Sequence, residues 1–179
     1  SVSEIVSDAS WKLTTDGPIL TSGEFDGEAY DARKEFAGWS KPWFHDATWR
    51  PAQLVSTPAG QLAAQMIEPL RITQTLKPVA VAEPKPGMFV FDMGQNMVGW
   101  CRLKVRGPAG TTVQLRHAEA LKPNGTLYMA NLRGAQVTDT FTLRGGGPEF
   151  WQPRFTYHGF RFVEVTGYPG RPELDALEG

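Results

Sequence analysis

Short segments with the composition of β-strands recur through the second half of this chain. There are five of them, at residues 88–93, 100–106, 111–117, 137–144 and 160–166. Residues 111–116 alternate clearly between polar and apolar, which predicts a strand with one buried face because successive side chains point to opposite sides. Turn-forming residues separate the segments, as in GPAG at 107–110 and GGG at 145–147. The pattern predicts an all-β fold, an antiparallel β-sandwich or jelly roll.

Composition and turn residues also predict the limits of the domains. We interpret residues 1–50 as trailing strands of an upstream domain or as the start of the sandwich. Residues 51–170 are expected to form the sandwich itself, and residues 171–179 a linker. A short helix is expected only at residues 127–136.

Charge, hydropathy and residue counts argue against several classes of function. The 18 basic and 19 acidic side chains nearly cancel, so the charge gives no attraction to nucleic acid or to an anionic membrane surface. No apolar run approaches the roughly 18 residues of a membrane helix.

The single cysteine, Cys101, excludes an internal disulfide and is expected to be a small buried apolar residue. The N-terminus shows no secretory pattern, which leaves the compartment open between extracellular, periplasmic and cytoplasmic.

Three carboxylates near the start of the chain have a spacing that would suit an acid/base pair for glycoside hydrolysis. Glu24, Asp26 and Glu28 share one face of a strand. Carboxylates two positions apart lie about 7 Å from each other, which is within the range for inverting glycoside hydrolysis. Spacing alone is weak evidence, and we interpret the three residues as a solvated strand face.

Other polar residues are expected to have structural roles. The three histidines are too scattered for a metal site of the usual short spacing and are expected to form structural hydrogen bonds. They stand at positions His45, His117 and His158. A further set is expected to form a network at a domain interface: Arg154, Tyr157, Arg161 and Glu164.

Three strings in a fixed order carry a resemblance to a known family. They are GEFDGEAYDAR at 23–33, VFDMGQNMVGW at 90–100 and RFTYHGFRFVEVTGYPG at 154–170, with LRHAEALKPNGTLYMANLRGAQVTDTF at 115–141 before the last. Together they resemble bacterial α-L-rhamnosidases of the glycoside hydrolase family 78 type. The resemblance implies the end of an N-terminal sugar-binding-like domain, followed by a concanavalin-like β-sandwich module.

The same resemblance implies that this part of the enzyme is not catalytic. In such enzymes the chain continues into an (α/α)6 barrel, where paired acidic residues hydrolyse terminal α-L-rhamnosides with inversion. Residues 171–179 would then lead towards that catalytic domain, which would be the partner of the sandwich in the parent chain.

A calcium site is also implied by the resemblance. In some members the sandwich module holds one calcium ion that helps to grip a terminal L-rhamnose. The ligands resemble Asp31 of the YDxR string and Asn96 of the FDxGQN string, with a backbone carbonyl near Trp100 or Cys101. The binding version carries Asn directly after the Asp, whereas this chain has Ala32.

Two alternatives therefore stay open. One is a module that binds an L-rhamnose-containing glycoside with calcium, in which Trp43 is the tryptophan most exposed for stacking on a sugar ring. The other is a structural spacer without a ligand, in which Asp31 pairs with Arg33 and Asn96 caps a turn. Position 32 discriminates between them, and Ala32 favours the spacer because calcium needs six to eight oxygen ligands.

Overall fold

The computed structural model describes residues 4–179, which divide into two compact units. The first contains residues up to 17 together with Phe36–Arg71, and the second contains Pro18–Glu35 and Ile72–Gly179.

Regular structure in the described residues is almost entirely β. Fourteen strands follow in chain order within residues 4–179: β1 (Lys12–Leu13), β2 (Ile19–Gly23), β3 (Gly27–Asp31), β4 (Arg50–Pro51), β5 (Ala80–Lys85), β6 (Met88–Gly99), β7 (Arg102–Arg106), β8 (Thr112–Ala118), β9 (Ala120–Leu121), β10 (Leu127–Tyr128), β11 (Thr138–Thr142), β12 (Pro148–Trp151), β13 (His158–Thr166) and β14 (Leu177–Glu178). The helical segments of the same residues are three short 3-10 turns: Ala32–Lys34, Ala130–Leu132 and Leu174–Ala176.

The second unit is a sandwich of two sheets. The larger sheet has seven strands in the order β2-β3-β11-β8-β13-β6-β5, and the smaller has three in the order β12-β7-β14. All neighbours are antiparallel except β3 and β11, which pair in parallel with Phe141 opposite Tyr30. The all-β sandwich predicted from the sequence is confirmed.

Side chains from both sheets meet in one apolar core. Alternation along β8 buries Val113 and Leu115, and alternation along β7 buries Leu103 and Val105 from the opposite sheet. Burying an aliphatic side chain of this size stabilises the fold by about 1.5–3 kcal/mol. The core therefore holds the two sheets face to face.

A small hairpin covers part of the other face of the large sheet. Strands β9 and β10 pair with each other, and buried Leu127 packs against Val90 and Ala118. Residues 127–136, expected as a short helix, contain β10 and one 3-10 turn instead. Burial of Leu127 on the sheet replaces the helix that the local sequence allowed.

The limits of the sandwich differ from the expected ones. Residues 18–35 supply β2 and β3 to the large sheet, because β3 finds a partner in β11 more than 100 residues later. Residues 51–71, expected inside the sandwich, belong to the first unit. Residues 171–179, expected as a linker, include β14, which pairs with β7.

The first unit has little regular structure. Strand β1 pairs with β4, with Lys12 opposite Pro51. The rings of Phe36, Phe44 and Trp49 pack edge to face at centroid distances of 5.5–6.5 Å. This aromatic cluster supplies the apolar contacts of the tryptophan-rich segment.

None of the helical segments in residues 4–179 has the length and apolarity needed to cross a membrane.

Candidate functional site

A polar groove crosses the outer face of the seven-stranded sheet. Its volume is about 530 Å³, and its lining comes from β2, β3, β11, β8, β13 and the residues beside them. The polarity follows from strand alternation, since Gln114 and Arg116 stand on this face while Val113 and Leu115 point into the core. Strand register aligns two rows of polar side chains across the groove: Glu164, Arg116 and Thr138 in one, and Thr166, Gln114 and Thr140 in the other.

An ion pair in the polar groove carries two unpaired atoms. Arg116 Nη2 donates to Glu164 Oε1 over 2.6 Å. Glu164 is only 4% exposed, and neither its Oε2 nor Arg116 Nε has a hydrogen-bond partner among the described residues. Buried polar groups are normally paired. Both atoms lie beneath the surface of the groove, so the open face of the ion pair that a ligand meets is formed by the polar side chains around it.

A second concavity, the aromatic cleft, lies at the end of β12 and the segment after it. Its volume is about 470 Å³, and five of its nine lining residues are aromatic. The aromatic residues are Tyr30, Trp100, Phe150, Trp151 and Phe155. The polar groups at the cleft include Glu35 and the exposed Arg154.

Packing and hydrogen bonds fix the floor of the aromatic cleft. The Trp151 ring stacks on Phe141 with centroids 5.3 Å apart and an interplanar angle of 14°. The Tyr30 hydroxyl donates to Glu35 Oε1 over 2.9 Å. Burial, together with this hydrogen bond, raises the pKa of Tyr30 well above its usual value. Tyr30 therefore remains a neutral donor at physiological pH.

The structure places Asp31, a predicted calcium ligand, in an ion pair with its neighbour. Both oxygens of Asp31 accept from the Arg33 guanidinium, at 2.9 and 2.7 Å, and Oδ1 also accepts from the Arg33 backbone N–H at 3.0 Å. These hydrogen bonds hold the pKa of Asp31 below its usual value. Ala32 adds no side-chain oxygen. The carboxylate is thus already paired with one cation.

Asn96 does not meet Asp31 in this structure. It lies on β6, whereas Asp31 lies on β3, and three strands of the same sheet stand between them. At about 4.8 Å per strand, the two are roughly 20 Å apart across the sheet, far more than one calcium ion spans. Asn96 Nδ2 donates instead to Glu119 Oε1 over 3.0 Å. These donors do not fit one calcium ion together.

Cys101 and Trp43 occupy opposite environments. Cys101 is fully buried in the core, and burial raises the pKa of its thiol well above its usual value. Its role as a small apolar residue agrees with the sequence interpretation. Trp43 lies in the first unit and is 99% exposed, with a positive φ of 70°. It is open to solvent, as the loop around Pro42 predicted, and its contact with a sugar stays a prediction.

The structure brings together two histidines that the sequence interpretation kept apart. His117 and His158 are buried, and the ligand atoms of His117, Asp139 and His158 all lie within 4.8 Å of one another. His158 Nε2 contacts Asp139 Oδ1 at 3.1 Å, and His117 Nδ1 contacts the Val137 carbonyl oxygen at 3.1 Å. The arrangement is a hydrogen-bonded network in the core, as expected for structural histidines.

The interpretation of Glu28 as part of a solvated strand face is wrong. Glu28 is 1% exposed, and its carboxylate accepts from the backbone N–H groups of Arg154 and Phe155 at 3.1 Å. Glu24, in contrast, is exposed and accepts from the Tyr157 hydroxyl over 2.7 Å. Glu28 thus pins the segment that lines the aromatic cleft and is not free to act as an acid or base.

The residues expected at a domain interface separate into independent pairs within the second unit. Arg161 makes two hydrogen bonds with Asp92, at 2.8 and 2.9 Å. Glu164 belongs to the polar groove, and Tyr157 bonds Glu24. The signal for the groove was available in the sequence, because Arg116 falls on the polar phase of the clearest alternating strand. Its pairing with Glu164 was not.

Comparison with known families gives two adjacent matches. Residues 82–179 match the family described as bacterial alpha-L-rhamnosidase concanavalin-like domain. Residues 1–74 match the family described as alpha-L-rhamnosidase N-terminal domain. The chain is 52% identical to an alpha-L-rhamnosidase of Streptomyces avermitilis over 176 residues, which is 98% of this chain and 17% of the relative. It is 41% identical to an alpha-L-rhamnosidase of Formosa agariphila over 173 residues, 94% of this chain and 18% of the relative.

Solved structures agree with these matches. The crystal structure of the Streptomyces avermitilis alpha-L-rhamnosidase complexed with L-rhamnose superposes with a TM-score of 0.94 at 52% identity, over 98% of this chain and 17% of that one. An alpha-L-rhamnosidase from Dictyoglumus thermophilum gives a TM-score of 0.94 at 48% identity, over 98% and 20%. The chain thus spans about one fifth of the length of the relatives it matches. Because the concanavalin-like match covers more than half of the 179 residues, this chain belongs to the bacterial α-L-rhamnosidase concanavalin-like domain family.

Proposed function

We propose that this chain is a non-catalytic β-sandwich portion of an α-L-rhamnosidase and that it binds L-rhamnose-containing glycosides in the polar groove. The observation that carries the proposal is the row of polar side chains that lines the groove, with Gln114 and Thr140 beside the Arg116–Glu164 ion pair. A sugar hydroxyl both donates and accepts, so neighbouring hydroxyls can bond the amide, hydroxyl and charged side chains of this lining. Charged partners make such hydrogen bonds stronger than neutral ones.

The proposed parent reaction is hydrolysis of terminal α-L-rhamnosides with inversion. Its acid and base belong, on this proposal, to the catalytic domain of the parent chain and not to the sandwich. Support comes from the carboxylates of the 23–33 string, because Glu28 is occupied by backbone donors and Glu24 by Tyr157.

The resemblance also implies that binding depends on calcium, and the positions of Asp31 and Asn96 argue against this. An ion at Asp31 would have to displace the Arg33 guanidinium and find its remaining oxygens without Asn96. Binding in the polar groove needs no metal. Calcium therefore enters the test of the proposal as a separate condition.

A structural spacer is the second candidate function. The Asp31–Arg33 ion pair favours it, since the implied calcium ligand already has a cationic partner. In that case the sandwich would only pack against the catalytic domain of the parent chain. Titration with sugar distinguishes the two candidates directly.

The test is a calorimetric titration of this chain with L-rhamnose, once with excess calcium and once with a chelator. Heat in both buffers that disappears in Glu164→Gln supports binding in the polar groove. Glu178→Gln is the matched control, because Glu178 pairs with Arg102 over 2.9 Å on the smaller sheet. Heat seen only with calcium and abolished by Asp31→Ala would move the site to Asp31. If no heat is seen up to tens of millimolar sugar, the Kd is weaker than about 10 mM, and the structural spacer is the function that remains.

A further inference from the structure

We propose that the aromatic cleft is a second binding site of this chain, separate from the polar groove. Its ligand is a six-membered ring with an apolar face and hydroxyl groups at the edge. Two sources share this chemistry: a pyranose ring of a glycoside, and a hydroxylated aromatic aglycone. The inference does not depend on sugar binding in the polar groove, because the two concavities have no lining residue in common.

Exposed aromatic rings at the mouth of the cleft are the first argument. Phe150 is 59% exposed and Phe155 is 72% exposed. Single exposed apolar residues are ordinary, but these two border the same concavity. The Arg102 guanidinium lies 5.3 Å from the centroid of the Phe150 ring. Exposed aromatic rings of this kind stack on the apolar face of a pyranose ring or on the face of another aromatic ring.

The floor supplies an unused donor. Trp151 is only 6% exposed, and its Nε1–H has no hydrogen-bond partner among residues 4–179. An indole N–H normally finds a partner when it is buried. Trp151 is also a lining residue of the cleft. In the proposed complex, a hydroxyl oxygen at the edge of the bound ring accepts from this donor once a small local adjustment of the cleft exposes it.

The walls are fixed before any ligand arrives. Trp151 is stacked on Phe141, and Glu28 holds the backbone N–H groups of Arg154 and Phe155. Glu35 presents its carboxylate to the cleft while it accepts from Tyr30 and from Arg144, at 2.9 and 2.8 Å. A site ordered in this way loses little conformational entropy on binding. Its volume of about 470 Å³ suits one or two rings and lies in the usual range for small-molecule sites.

Nuclear magnetic resonance of the tryptophan indole N–H groups tests the proposal directly. The chain has six tryptophans, and Trp151→Phe identifies the Trp151 signal. The probes are methyl α-L-rhamnoside for the sugar ring, resorcinol for the hydroxylated aromatic ring, and 4-nitrophenyl α-L-rhamnoside for both. We expect the Trp151 signal to shift with at least one probe. The probe that shifts it shows whether the cleft binds a sugar ring or a hydroxylated aromatic ring.

A matched pair of substitutions distinguishes binding in the cleft from non-specific binding to exposed aromatic residues. Phe155→Ser is expected to weaken binding of the active probe at least tenfold, whereas Phe25→Ser leaves it unchanged, since Phe25 is also 72% exposed but lies outside the cleft. Trp151→Phe should weaken binding severalfold by removing the donor. A Trp151 signal that no probe moves, or equal losses in the two serine variants, would overturn the proposal. Glu164→Gln should leave cleft binding intact, so failure of the polar groove and failure of the cleft are distinguishable.

Discussion

The imidazole rings of His117 and His158 stack in the core with centroids 4.3 Å apart and planes tilted by 26°. Both rings are buried, and each has one ring nitrogen without a partner among the described residues. Asp139 Oδ1 contacts His158 Nε2 and accepts from the Glu28 backbone N–H over 2.9 Å. The cluster thereby links β8, β11, β13 and β3 through side chains as well as through the sheet.

This stack predicts that the sandwich loses stability in mild acid. Burial and the neighbouring His158 lower the pKa of His117 from 6.5 to about 4. The unfolded chain therefore binds a proton at His117 that the folded chain does not bind between pH 6.5 and 4. This contribution to stability is complete above pH 6.5 and falls by about 3 kcal/mol as the pH drops to 4. Urea unfolding at pH values from 4.5 to 7.5 measures it.

The exposed His45 gives the control for the acid experiment. His45→Gln should leave the slope of stability against pH unchanged. His117→Phe keeps a ring against Phe160, and the Val137 carbonyl still accepts from the backbone N–H of residue 117. This variant should flatten the slope. An equal slope in wild type and His117→Phe would show that His117 does not titrate on unfolding.

Glu28 predicts a large effect from a small chemical change. Its carboxylate accepts from two backbone N–H groups after β12 and from the Ser22 hydroxyl, all at 3.1 Å. In Glu28→Gln the remaining oxygen can take the Oε2 position, which leaves an NH2 donor in place of Oε1 facing the Arg154 N–H, and the negative charge is lost. Loss of charge-assisted hydrogen bonds in a buried site should lower the free energy of unfolding by about 2 kcal/mol. Chemical denaturation measures this loss.

Glu24→Gln is the control, because Glu24 lies on the same short stretch but is exposed. Its bond to Tyr157 is at the surface, and its loss should change the free energy of unfolding by less than about 0.5 kcal/mol. Equal effects of the two substitutions would mean that Glu28 does not pin the segment after β12.

The strands could be predicted from the sequence because their signal is local. Alternation along β8 and the glycine- and proline-rich turns need only neighbouring residues, and all five expected segments contain strands. The partners of Glu28 lie 126 and 127 residues further along the chain, and no spacing rule relates them. Period two predicted one strand face for Glu24, Asp26 and Glu28, but residues 24–26 form the turn between β2 and β3, and only Glu28 lies in a strand. Period two also could not tell which face of that strand is buried.

The candidate sites show the same limit. Asp31 and Asn96 carry the right atoms for calcium, yet sheet order places three strands between them. His117 and His158 look scattered in the sequence, but β8 and β13 are neighbours and bring them into contact. The polar groove and the aromatic cleft are products of register between distant strands. Residue type was predictable from the sequence, and proximity was not.

The backbone conformation of Trp43 predicts that glycine is more stable than alanine at this position. Its φ of 70° lies in the left-handed region, where a bulky residue is strained, and its side chain is 99% exposed. Trp43→Gly should therefore raise the free energy of unfolding by about 0.5–1 kcal/mol relative to Trp43→Ala. At Trp39, which is 64% exposed without a positive φ, glycine should be less stable than alanine. The same ordering at both positions would contradict the role assigned to the backbone of Trp43.

Gly27 predicts a sharp loss of stability at the start of β3. Its φ is +100°, and a Cβ there would overlap the Thr138 carbonyl oxygen and approach Asp139 Oδ1. Gly27→Ala should lower the free energy of unfolding by about 3 kcal/mol, because backbone strain and the clash with β11 add. Gly23, its partner across the β2–β3 pair, has open space around its Cβ position and an ordinary φ. Gly23→Ala should stay within about 0.5 kcal/mol of wild type. If chemical denaturation finds the two alanine variants equally stable, the close approach of β3 to β11 at this point is wrong, and the placement of Glu28 and Asp139 falls with it.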